Sequence, residues 1–266
     1  MSHKFKSTDL IPLKEKHTMR NILMIAMTLM LFNIISPGSQ RDNRNHKFKE
    51  FSLAKKAVFT ADVEKKTFYC GCPYNERKEI NLQACGYQFR KSRKRASKVE
   101  IEHVVPADKL CGQTPEWKSG SEKCVDSNGR HFKGRKCASR YNPVCVMAYN
   151  DIENLRPAIG EINNDRSDYS FAEIKNKETS YGTCRFFIKN GVVDPPENVH
   201  GDIARIYLHM NATYPELNLS APDEIKLFQK WSGLDPATEE ECRKNKKIHD
   251  IQGTYNFFIL EQCGRK

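Results

Sequence analysis

The chain has 266 residues, 38% hydrophobic and 29% charged. That composition places it among soluble globular proteins large enough to bury a core, as one large domain or two small ones, and excludes a polytopic membrane protein. Lys and Arg number 44 against 33 Asp and Glu, for a net charge of +11 and a pI near 9.1, which points to a polyanionic partner, either nucleic acid or an acidic membrane surface.

At the N-terminus, Met19-Arg20-Asn21 precedes an apolar run over 22–35. The run suits the core of a signal peptide and is short for a membrane span. Ser36, Pro37, Gly38 and Ser39 follow, so residues 1–40 read as a leader, with Met19 an alternative start and an uncleaved anchor or a buried helix the competing readings. The leader holds five bases (Lys4, Lys6, Lys14, Lys16, Arg20) and two acids (Asp9, Glu15), so 39 bases and 31 acids remain and the rest of the chain keeps +8. Residues 37–50 are polar and read as a flexible lead-in.

Thr67-Phe-Tyr-Cys70 is β-prone, and 90–98 is a basic run. Val99-Glu-Ile-Glu-His-Val-Val105 reads as a strand closed by Pro106, which restricts Val105 and removes a donor. Residues 112–145, rich in Gly, Ser, Lys and Cys, read as a long loop region that disulfides would have to hold. Pro157 suits a first helical position, which predicts a helix over 157–166. Helical spacing recurs over 203–210 and 222–231, and another helix is expected after a capping Asp235. Helices and strands are segregated, so the fold class is α+β, with 41–266 as one domain.

Ten cysteines lie between Cys70 and Cys263. An even, dense set points to disulfides and an oxidising compartment; a zinc site is the alternative, but Cys70-Gly-Cys72 has the wrong spacing for a zinc knuckle.

The strongest local signal is Glu102-His103 at the end of a strand, with the basic run just before it. Cleaving a phosphodiester needs a base for water, a Lewis acid on the phosphate and cations to neutralise charge. A near-neutral His supplies the first, a carboxylate with an amide can hold hydrated magnesium, and Lys and Arg supply the third. Adjacent strand residues face opposite sides, so the pair converges on one site only if the strand ends or twists there.

The motifs together resemble the endonuclease I family of bacterial periplasmic and secreted nucleases. The matches run in order: Phe68-Tyr-Cys-Gly-Cys72 with Cys85-Gly-Tyr87; Val99-Glu-Ile-Glu-His-Val-Val-Pro-Ala107; Lys133-Gly-Arg-Lys-Cys137; Asp151-Ile-Glu-Asn-Leu155 with Pro157-Ala-Ile-Gly-Glu-Ile-Asn163; Arg166 with Tyr169; Gly201-Asp-Ile-Ala-Arg205; and Gln252-Gly253 with Asn256. They cover residues 60–260. The resemblance implies a ββα-metal (His-Me finger) site in the α+β fold. It makes His103 the general base, Glu102 and Asn163 the magnesium ligands and Arg135 the cation that holds the phosphate, with Asn154 a structural or supporting partner. Manganese or calcium would be substitutes for magnesium. Three positions depart from the family pattern: Tyr149 where an acidic residue is expected, Ile101 where an aromatic is usual, and a loose 252–256 tail.

The reaction so implied is metal-dependent, sequence-nonspecific hydrolysis of internal phosphodiesters in DNA and also RNA. The enzyme would be a periplasmic or secreted monomer with no stable membrane association once the leader is gone. Arg90, Lys91, Arg93, Lys94, Arg95 and Lys98 are the candidate nucleic-acid contacts, being a basic run that abuts the site; an ordinary solvated face is the bland reading. The competing functions are an exported, catalytically inactive nucleic-acid-binding surface protein and a basic membrane-associated effector. His131 and His209 are expected in surface or packing roles, and Tyr87 and Phe89 either in packing or in stacking on bases.

Overall fold

The β-rich stretch and the Pro157 segment pair with each other. In the computed structural model, which describes residues 42–178 and 180–264, β1 (Val99–His103) runs antiparallel to β2 (Leu155–Ile159), with Ile101 opposite Pro157 and His103 opposite Leu155. The helix expected from Pro157 therefore begins three residues later, at Gly160. All five residues of β2 are buried, and a continuously buried run satisfies a strand better than a one-sided helix. Pro157 costs the ladder no hydrogen bond: its carbonyl, which in a strand points to the same side as the missing N–H, faces away from β1 and accepts from Phe68 N–H at 2.8 Å.

The helices in chain order are α1 (Phe51–Ala61), α2 (Arg93–Ala96), α3 (Ala107–Cys111), α4 (Pro115–Lys118), α5 (Arg135–Tyr141), α6 (Pro143–Tyr149), α7 (Gly160–Arg166), α8 (His200–Thr213), α9 (Pro222–Leu234), α10 (Glu239–Gln252) and α11 (Phe257–Leu260). A second sheet has β5 (Val192–Asp194) between β3 (Ser170–Phe171), parallel to it, and β4 (Phe187–Lys189), antiparallel. The class is α+β, as expected. Among the described residues, everything from Asn43 onward forms one unit; residues 1–40, where a leader is expected, lie outside them.

Three elements position the site. In α1, Ala54, Ala57, Val58 and Ala61 recur at helical spacing and are buried in a cluster with Ile152, Leu155 and Ile248. The alanines let the helix approach closely, which brings its first residue, Phe51, to the end of β1. α7 starts at Gly160 because only glycine fits there: a Cβ would stand 2.8 Å from both the Arg95 carbonyl and Glu100 Oε1. Arg166, at the end of α7, is fully buried and donates to the carbonyls of His103 (2.9 Å) and Val104 (2.6 Å), so it clamps the strand end where the chain turns toward Pro106.

All ten cysteines are paired: Cys70–Cys184, Cys72–Cys85, Cys111–Cys145, Cys124–Cys137 and Cys242–Cys263. No thiolate is left for zinc. Residues 112–145 are less irregular than expected. Thr114 and Asn142 cap α4 and α6 with their side chains, Pro115 and Pro143 fill first helical positions, and the one long irregular stretch is 119–134. Three further expectations are corrected. Thr67-Phe-Tyr-Cys70 leads into a turn, closed by Gly71 N–H on the Thr67 carbonyl. The helix expected at Asp235 is capped instead by Thr238, whose reciprocal bonds with Glu241 form a capping box. The described part of the polar lead-in is fastened: Asn45 is fully buried, its N–H donates to the Tyr214 hydroxyl and its Nδ2 to the Met147 carbonyl.

Candidate active site

β1 ends at His103, and its last two side chains enter different surroundings. His103 is 5% exposed and stacks against Phe51, with ring centroids 5.1 Å apart, and against Tyr149 at 4.3 Å. Its Nε2 lies 2.9 Å from the Tyr149 carbonyl. A carbonyl only accepts, so Nε2 carries the proton and Nδ1 presents a lone pair. Burial, then the neighbouring Arg135 charge, pushes the His103 pKa down to about 3, so the imidazole is neutral at physiological pH.

Arg135 comes from the first turn of α5 and remains exposed. Its Nε donates to the Tyr149 hydroxyl at 2.9 Å, and its Nη2 lies 3.5 Å from His103 Nδ1. Tyr149 therefore holds the His103 imidazole through its backbone and the Arg135 guanidinium through its side chain.

Glu102 is 2% exposed. Its Oε1 accepts from the Tyr69 hydroxyl at 2.8 Å and meets Arg166 Nη1 at 3.1 Å, while Oε2 has no protein donor among the described residues. Burial pushes its pKa up to about 7 against the pull of Arg166. The charge of Arg135 reaches both Glu102 and His103, so the two do share one electrostatic neighbourhood at the strand end.

Asn163 sits half-buried on α7, where its Nδ2 donates to Glu100 Oε2 at 2.8 Å. Glu100 and Glu102 are two residues apart on β1 and so project to one face. Asn163 thus meets the face that bears Glu102, but its hydrogen bond is to Glu100 and none joins it to Glu102. Arg95 neutralises Glu100 through two bonds of 2.8 Å. The donors available to a cation are Glu102 Oε2 and Asn163 Oδ1. Among the described residues no group of three or more His, Cys, Asp or Glu could hold a metal. An ion held by these two oxygens would have few, hard ligands and would keep several waters, as magnesium does.

Asn154 is fully buried, and its side chain exchanges two hydrogen bonds with the backbone of Val105 (2.7 and 2.9 Å), a structural role. It precedes β2 and so does not share a helix with Asn163. In the basic run, Arg90 and Lys91 pair with Asp165, Arg95 with Glu100 and Lys98 with Glu79; Arg93 and Lys94 are exposed without a carboxylate partner among the described residues. Tyr87 is buried on Glu161, whereas Phe89 is 48% exposed. His209 is buried in α8, and His131 is exposed on the 119–134 loop.

Sequence reasoning did not assign roles to Phe51, Tyr69, Glu100 or Arg166. Tyr69 and Arg166 lay within the motifs, and the two-residue period of a strand could have pointed from Glu102 to Glu100. Nothing local marks Phe51, which reaches His103 across 52 positions.

A sequence model of the Endonuclease I family matches residues 26–263. The chain belongs to the endonuclease I family. Among its relatives in that family are Endonuclease-1 of Buchnera aphidicola subsp. Acyrthosiphon pisum, 39% identical over 75% of this chain and 76% of that one. Two from Aeromonas hydrophila are an extracellular deoxyribonuclease, 39% identical over 74% of this chain and 82% of that one, and a periplasmic deoxyribonuclease, 38% identical over 74% and 79%. The resemblance drawn from seven motifs thus extends over most of the endonuclease I chain.

Proposed function

We propose that this endonuclease I relative is an exported, magnesium-dependent, sequence-nonspecific endonuclease that acts as a monomer on internal phosphodiester bonds of DNA and of RNA. The observation that carries the reading is the His103–Tyr149–Arg135 arrangement: a neutral imidazole with Nε2–H committed to a carbonyl, and a guanidinium whose Nη2 makes a long 3.5 Å contact with the Nδ1 lone pair. β1, β2 and α7 follow the order of a ββα-metal motif, which supports that finer description.

In this mechanism His103 Nδ1 takes the proton of the attacking water, a contribution of about 100- to 10,000-fold. The Tyr149 carbonyl stabilises the imidazolium that forms. Arg135 binds a phosphate oxygen, and its charge offsets the negative charge that builds on the phosphorane. Glu102 and Asn163 would hold the magnesium ion, with Tyr69 and Arg166 orienting Glu102. When bound, the ion supplies Lewis-acid stabilisation of the phosphate and the leaving oxygen. No group in this set reads a base or needs to distinguish a 2′-hydroxyl, which favours both nucleic acids as substrates.

The names of relatives include extracellular and periplasmic enzymes, in keeping with export of this one. Nicking of supercoiled plasmid and degradation of a labelled RNA, each with magnesium and with chelator, test the proposal. Metal-dependent cleavage of both that disappears in His103→Ala is expected. Activity unaffected by chelator and by that substitution would overturn it.

A further inference from the structure

The chain's net charge of +11 does not say which cations meet the substrate, and in this fold most of the obvious ones are occupied. Four of the six bases of the 90–98 run are in ion pairs. The lysines without carboxylate partners beside the site lie elsewhere, around the start of α1.

Two grooves meet there. One, of about 700 Å³, contains Arg135 and Tyr149 and is flanked by Lys49, Lys136 and Arg140. The other, of about 540 Å³, contains Glu100 and Asn163 and is flanked by Lys55, Lys56 and Lys78. Phe51 and Ser52 line both, so the grooves are continuous across the first turn of α1. None of these six flanking cations forms an ion pair with a described carboxylate. The acids present are Glu50, within 3.4 Å of the Ser52 hydroxyl, and Glu100, already neutralised by Arg95.

Phe51, Phe59, Val99 and Ile101 add apolar side chains to the lining of the second groove. Lys55 Nζ lies 5.1 Å above the Phe51 ring and Lys78 Nζ 4.0 Å above Phe59. Lys78 holds this place from a left-handed backbone conformation (φ +62°) in the turn after Asn75. Ammonium groups poised over aromatic faces suit a chain that alternates phosphates with sugar and base faces.

We infer that a nucleic-acid strand crosses the first turn of α1, with the scissile phosphate at Arg135 and His103 and the flanking phosphates on Lys55, Lys56 and Lys78. This rests on the nuclease reading. It assigns the sequence-independent affinity to the α1 grooves more than to the 90–98 run.

The test is fluorescence anisotropy with a labelled duplex over a range of sodium chloride, using His103→Ala as the uncleaving parent. Each phosphate that the protein no longer neutralises flattens the plot of log affinity against log salt by about 0.9 unit. Lys55→Gln/Lys56→Gln/Lys78→Gln should flatten it by about two to three units, and Arg93→Gln/Lys94→Gln by less. All five side chains are on the surface, and circular dichroism checks the fold; should the triple variant misfold, Lys78→Gln alone should still lower the slope by about one unit. A slope unchanged from the parent in the lysine variants overturns the groove assignment and leaves the nuclease reading standing. A parent with no salt-dependent binding at all removes both.

Discussion

His103 Nε2 and the backbone oxygen of Tyr149 are 2.9 Å apart, so the imidazole is oriented by an atom that no substitution of that tyrosine removes. The hydroxyl on the same residue serves Arg135 instead. The two functions of Tyr149 can therefore be separated. Tyr149→Phe should leave the pH profile of cleavage unchanged and raise KM by about 3- to 10-fold, the worth of one hydrogen bond. His103→Ala should lower kcat by about 100- to 10,000-fold while still binding magnesium. Steady-state nicking kinetics across pH separate these outcomes. An altered pH profile in Tyr149→Phe would show that the hydroxyl acts on the base itself.

Glu102 and Asn163 should differ in what their loss does to the fold. Glu102→Ala leaves Arg166 buried without its carboxylate, at a cost of about 3–5 kcal/mol in chemical denaturation. Asn163→Ala, on a half-buried position, should change stability little. Both should weaken magnesium binding in calorimetric titration. Wild-type magnesium affinity in Asn163→Ala would remove it as a ligand and make Glu100, its hydrogen-bond partner, the next residue to test.

Asn154 carries a purely structural prediction. Removing its amide strands both the N–H and the carbonyl of Val105 in the interior. Asn154→Ala should lose about 1–3 kcal/mol for each unpaired group. The fraction that remains folded, read by denaturation alongside activity, should cleave at the wild-type rate.

Glu153 gives a pH dependence independent of catalysis. It is fully buried, and no side chain among the described residues donates a hydrogen bond to its carboxylate. Burial and the nearby Asp151 push its pKa from 4.5 up to about 8. The fold thus favours the protonated form, and its contribution to stability is full below about pH 4.5, where the unfolded chain is also protonated. It is lost as pH rises through about 8. Glu153→Gln, which cannot ionise, should raise Tm at pH 8 relative to the parent and flatten the fall of Tm with pH. Parallel thermal melts of the two proteins, still falling equally steeply, would place the alkaline sensitivity in another group.

The sequence carried the class, the family motifs and the fact that the cysteines are bonded, though not which bonds to which, because each has a short-range signature: periodicity, spacing, parity. What it concealed was long-range. Pro157 reads as a helix start until β1 lies alongside it with the missing donor turned outward. Arg90, Lys91, Arg95 and Lys98 look like one bare patch in a string of letters. Their acids, Asp165, Glu100 and Glu79, are up to 75 positions away or outside the run. Phe51 meets His103 only because small residues on one face of α1 let it settle over Ile152 and Leu155.

The cross-link Cys124–Cys137 closes the loop that leads into α5, two residues past Arg135, and Cys111–Cys145 ties α3 to α6, at whose end stands Tyr149. For the first of these the chain-entropy view gives about 3 kcal/mol. Before oxidation, the segments that carry Arg135 and Tyr149 lack these fastenings. On the export reading, a newly made chain shares its compartment with its maker's chromosome only in that reduced condition. On that reading, the scaffold around Arg135 and Tyr149 is fastened only once the chain has reached an oxidising compartment.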